Sequence, residues 1–101
     1  MHLVQILLPV RDNDGRPFPR SCLQAVADRL AHRFGGVTAF SRAPAEGFWR
    51  GGTAPALDDI IVIEVMTSEL DRAWWRSYRL ELERTFRQEM VVIRATQIEQ
   101  L

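Results

Sequence analysis

Glu64 interrupts the most apolar run of the chain, Ile60-Ile61-Val62-Ile63-Glu64-Val65-Met66. A carboxylate there has to be paired, protonated or turned to water in a cavity, because an isolated charge is costly among aliphatic side chains. Gln5 and Arg94 lie inside two other apolar segments and are its natural partners. Two readings follow for the trio: a polar network that fixes strand register, or an arginine anchoring a ligand beside a glutamate acid or base. Arg42, Trp49 and Arg50 form a second group, near a strand end and its following loop. Arginine beside an aromatic ring holds an anion or stacks on a planar ligand, and the same pairing suits the rim of a subunit interface.

Other chemistries find little support. All 13 basic residues are arginine, which removes Schiff-base lysines and the lysine of a phosphate-binding loop. Cys22 is the single cysteine, and with His2 and His32 it has no metal-ligand spacing, so neither a metal nor a cofactor is expected. The serines are scattered, with no glycine-flanked nucleophile. Thirteen acidic residues balance the arginines, so no overall basic field draws in nucleic acid. No apolar run reaches the roughly 20 residues that cross a bilayer, and the opening Met1 to Pro9 lacks the basic start and cleavage site of a signal peptide. A cytoplasmic protein without membrane contact is expected.

The elements that must position these residues are legible from periodicity. His2 to Pro9 reads as a strand buried on both faces, and Arg11 to Pro17 as a turn cluster rich in Asn, Asp and Gly. Pro19 suits the first turn of a helix whose Leu23, Val26, Ala27, Leu30 and Phe34 share one stripe, and Gly35-Gly36 ends it. Val37 to Arg42 alternates as a strand; Pro44 and Gly47 bracket a turn before Phe48 and Trp49. Ile60 to Met66 is the strongest strand signal because β-branched residues dominate it. Ser68 is placed to cap a second helix, with Asp71 three residues on, and Trp75, Tyr78, Leu82 and Phe86 make its apolar stripe. Trp74 falls on the flank of that stripe and is expected against the loop or a partner chain. Met90 to Thr96 is a last strand.

This order, with right-handed crossovers, predicts an α+β, ferredoxin-like βαββαβ sandwich over residues 1–101: a four-stranded antiparallel sheet with two helices on one face. Val4, Ile6, Leu8, Ile61, Ile63, Val65, Val91 and Ile93 are assigned to the helix side. The other face carries Leu3, Leu7, Phe40, Ile60, Val62, Met66, Met90 and Val92 around the polar residues Gln5, Thr38, Arg42, Glu64 and Arg94. It is too apolar to remain in water, and a second copy related by a two-fold axis is its expected cover.

Phe34-Gly35-Gly36-Val37-Thr38, Gly47-Phe48-Trp49-Arg50 and Phe86-Arg87-Gln88-Glu89-Met90-Val91 together resemble an uncharacterised family of small ferredoxin-like domains of the dimeric α+β barrel type. The resemblance spans nearly the whole chain, implies the fold and the dimer, and supplies no reaction. The RNA-recognition motif shares the topology, but its base-stacking aromatics have no counterpart in His2 to Pro9 or Ile60 to Met66. The expected function is thus a homodimeric domain without evident catalytic machinery that binds a small planar or anionic ligand or a partner protein. The alternative is a cofactor-independent enzyme of monooxygenase or isomerase type, its site between the sheet and loop 43–58. There Glu64 would be the acid or base, and Arg42, Trp49, Arg50, Arg94 and Gln5 would contact the ligand.

Overall fold

The alternation of Val4, Ile6 and Leu8 places β1 (His2–Pro9) in the middle of the sheet, where every second side chain is sealed from water. The computed structural model describes residues 1–47 and 56–101, with side chains described for 1–39 and 60–101. After β1 come α1 (Arg20–Phe34), β2 (Thr38–Gly47), β3 (Ala56–Thr67), α2 (Arg72–Thr85) and β4 (Val92–Gln97). The strands form one antiparallel sheet in the order β2-β3-β1-β4. This is the expected ferredoxin-like βαββαβ arrangement.

Val4, Ile6, Leu8, Ile63, Val65 and Val91 pack against Val26 and Leu30 of α1 and Trp75, Tyr78 and Leu82 of α2, with Phe86 closing the end of the core. Ile61 and Ile93 lie at its margin. The helix side of the sheet therefore holds the residues that alternation assigned to it. Phe86 is fully buried and meets Phe18 edge-on at 5.0 Å, which ties the segment before α1 to the end of α2.

The connections follow from local chemistry. Asp12 Oδ1 accepts from the backbone N–H of Asp14 and Arg16, and Gly15 adopts φ +80°, so the Arg11–Pro17 cluster closes on itself. Gly35, at φ 80°, terminates α1 in the left-handed conformation and donates its N–H to the Ala31 carbonyl at 2.8 Å.

Two boundaries differ from the expectation. Ser68 does not cap α2: Asp71 occupies the N-cap and its carboxylate accepts from the Trp74 N–H at 3.1 Å. Asp71 is the residue next to the first helical turn, so its short side chain reaches a free N–H that Ser68 cannot. The second difference is the length of the hairpin. Residues 43–47 and 56–58 belong to β2 and β3 rather than to a loop, and the turn expected between Pro44 and Gly47 is strand. A register shift between Arg42 and Ala45 absorbs Pro44, as an edge strand with an irregularity permits.

Candidate functional site

On the helix-free face, the register aligns four residues in one row across all four strands. Thr38 pairs with Glu64, Glu64 with Gln5, and Gln5 with Arg94. The Gln5 Nε2 donates to Glu64 Oε2 at 2.6 Å, and Arg94 Nε donates to Gln5 Oε1 at 2.8 Å. Gln5 thus relays between a cation and an anion: the guanidinium polarises the amide, and the amide's other end meets the carboxylate. Glu64 and Gln5 are half-buried and Arg94 is exposed. The three candidates that sequence spacing put together are together in space.

Glu64 also forms part of the wall of an open cleft of about 520 Å³ at the junction of α1 and β2, with Leu3, Phe34, Val37, Thr38 and Met66. Gly35 and Gly36 form its rim, and a Cβ on either would meet nothing within 4 Å. Phe34 is fixed there by stacking on Trp75 at 5.3 Å and by an edge contact to Trp74 at 5.5 Å. The cleft therefore offers a rigid aromatic wall, aliphatic surface and a carboxylate whose Oε1 has no hydrogen-bond donor among the described residues. Such a set suits a ligand with a flat apolar part and a positive or donor group.

The second candidate group is not part of this cleft. Arg42 lies in β2 opposite Ile60, four residues along β3 from Glu64 and so about 13 Å away at strand spacing. Trp49 and Arg50 lie outside the described residues. Trp74 also departs from expectation. It packs between the helices, stacked on Tyr78 at 5.0 Å and edge-on to Trp75 at 4.8 Å, with the Arg33 guanidinium 4.2 Å above its ring. The αα interface, rather than a loop or partner, takes it because Phe34 and Arg33 at the end of α1 reach it.

Beside that cluster, Tyr78 is 3% exposed and burial pushes its phenol up to about 12, opposed by the positive charge of Arg29 and assisted by the negative charge of Glu81. Arg29 and Glu81 themselves form a two-oxygen ion pair at 2.8 Å between α1 and α2. Cys22 is half-buried against the core, and His32 is exposed on α1. Among the described residues no group of three or more His, Cys, Asp or Glu is placed to hold a metal ion, and no helix is long and apolar enough to cross a membrane.

An open-faced α+β sandwich with a polar row beside an aromatic cleft is the class that fold and site define. Among solved structures, the chain is similar to a phage SAM lyase in complex with S-methyl-5'-thioadenosine, with a TM-score of 0.69 over 95% of this chain and 80% of that one, at 12% identity. A phage SAM lyase in the apo state aligns with a TM-score of 0.62 over 94% of this chain and 78% of that one, at 14% identity. At these identities the likeness is one of fold. No protein-family model and no curated protein sequence matches the chain.

Proposed function

We propose that this protein is a homo-oligomeric small-molecule-binding domain whose site lies on the helix-free sheet face, with Glu64 as its anchor and Gln5 and Arg94 as the residues that hold Glu64 in place. The observation that carries the reading is the Arg94–Gln5–Glu64 chain of hydrogen bonds ending on a carboxylate in the wall of an aromatic cleft. A register-fixing network alone would not require a carboxylate oxygen beside Phe34 and Met66 that has no donor among the described residues. Association is supported by the exposure of Met66 at 51% and Val92 at 42% on the same face, with Met90 at 71% just before β4. A second copy would cover this surface and enclose the cleft. Residues 1–101 form the folding unit of this proposal.

The fold likeness supplies the first ligands to test. S-adenosylmethionine joins a planar adenine to a sulfonium cation, the combination that an aromatic wall and a carboxylate receive. S-methyl-5'-thioadenosine keeps the planar part and lacks the charge. Binding of both, with S-adenosylmethionine at least about tenfold tighter in wild type and the preference gone in Glu64→Gln, is the outcome expected from calorimetry at moderate salt. Equal affinities in wild type and Glu64→Gln would overturn the assignment of Glu64.

The Glu64 Oε1, without a donor among the described residues, favours an enzymatic second reading, a lyase. Glu64 would take a proton from the carbon adjacent to the one bonded to sulfur. The C–H pair would become a C=C bond, and the C–S pair would return to the sulfonium, leaving a neutral thioether. Chromatography for S-methyl-5'-thioadenosine released from S-adenosylmethionine tests it: steady release abolished in Glu64→Gln supports the lyase, and binding without release leaves a binding domain.

A further inference from the structure

A separate cleft of about 170 Å³ lies between α2 and the edge strand β4, away from the aromatic cleft beside Glu64. Arg72, Arg76 and Arg79 reach it from α2, while β4 lines it at Ile93, Arg94 and Ala95, the Arg94 side chain being hydrogen-bonded to Gln5 on the opposite face of the sheet. Spacings of four and three residues put the three helical arginines within about 60° of one another around the helix axis. Among the described residues no acidic residue lines the cleft, although the chain as a whole carries 13 acidic residues against 13 basic ones. Arg72 and Arg76 have neither an ion-pair partner nor a hydrogen-bond acceptor among the described residues. Arg79 is paired with Glu83 at 3.2 Å.

The placement works against local stability. α2 has no acid within its first turn, where the positive end of the helix dipole disfavours Arg72; the one adjacent carboxylate, the Asp71 cap, is engaged by the Trp74 N–H and by Arg33. Arg76 and Arg79 add like charge on the same stripe. Beneath them the floor is apolar: Val4, Leu70, Ile93 and the indole of Trp75, which is 6% exposed and whose Nε1 is buried without an acceptor among the described residues. A bound anion would relieve the repulsion, and the apolar floor selects what the anion is attached to.

We propose that this cleft binds an oxyanion, a phosphate or carboxylate, carried on a small flat apolar body, with Arg72 and Arg76 as its principal charge contacts and Leu70 and Trp75 as the floor. The volume suits a group of about the size of one benzene ring. Guanidinium groups on a single stripe can each donate two hydrogen bonds to such an anion, which ammonium groups would not match in geometry. The site shares no lining residue with the one around Glu64, although Trp75 in its floor also stacks on Phe34 of that cleft.

Calorimetric titration of the full chain with phenyl phosphate, benzoate and inorganic phosphate at low salt tests the proposal. Saturable binding of phenyl phosphate or benzoate is expected, tighter than inorganic phosphate by about tenfold and weakened by about tenfold or more in an Arg72→Ala, Arg76→Ala double variant. The stronger of the two aromatic probes identifies the oxyanion. Glu64→Gln should leave this binding unchanged, which separates it from the ligand site on the sheet. Both arginines are exposed, so the double variant is expected to keep its fold, checked by an unaltered near-UV spectrum. Absence of saturable binding, equal affinity for inorganic phosphate and the aromatic probes, or an unweakened double variant would each overturn the proposal.

Discussion

The two faces of the sheet are built from the same strands and follow opposite rules. On the helix side, Ile6, Leu8, Ile63 and Val65 are no more than 1% exposed, and each is apolar and enclosed by the helices. On the other side, Val62 at 2% exposure and Met66 at 51% stand on the same strand with Glu64 between them. The first face spends its residues on close packing, where one deleted side chain leaves a void. The second mixes exposed apolar groups with a hydrogen-bonded polar row that contributes little to packing. The uniform face explains why the chain folds, and the mixed face is costly unless something covers or occupies it.

Substitutions should separate the faces sharply. Phe86→Ala on the packed side is expected to cost about 3–5 kcal/mol, read from chemical denaturation, because the residue is fully buried and holds Phe18. A loss below about 1 kcal/mol would mean that the packed side is less close-fitting than described.

A second contrast is pH. Tyr78 is the single tyrosine, with a phenol raised from 10.0 to about 12 by burial, so the folded state holds its proton more tightly than the unfolded chain. The stability from this group is complete below pH 10 and is lost as pH rises through 12, by about 2–3 kcal/mol. Unfolding midpoints measured over this range should fall in wild type and stay flatter in Tyr78→Phe. A wild-type midpoint that does not fall contradicts the burial argument.

The smallest thermodynamic effect belongs to the open face. Glu64→Gln should change stability by less than about 1.5 kcal/mol, since an amide still accepts the Gln5 hydrogen bond. Met66→Asp with Val92→Asp should barely affect monomer stability, yet convert an oligomer to a monomer in light scattering. Wild type that is already monomeric at micromolar concentration would sink the oligomer.

Much of this division was legible in the sequence. Period-two alternation placed Val4, Ile6 and Leu8 on one side and Gln5 on the other, and strand order then brought Gln5 between Glu64 and Arg94. The cap of α2 was less legible, because Ser68 and Asp71 are both good capping residues and only the helix start decides between them. The length of the β2–β3 hairpin was hidden by Pro44 and Gly47, which look like turn residues but lie in an edge strand. The cleft beside Glu64 depends on where Phe34 and Gly35 end α1 in space, which no local pattern encodes. Arg72, Arg76 and Arg79 did carry a signal, a helical spacing of one charge, that looks like an ordinary solvated face until β4 is set beside it.

The division of the two faces is tested most directly by amide chemical-shift mapping of the assigned protein on addition of S-adenosylmethionine. Saturable shifts are expected at Leu3, Gln5, Val37, Thr38, Glu64 and Met66, and none of these in Glu64→Gln. Shifts concentrated instead around Arg29, Tyr78 and Glu81 on the helix side would contradict it.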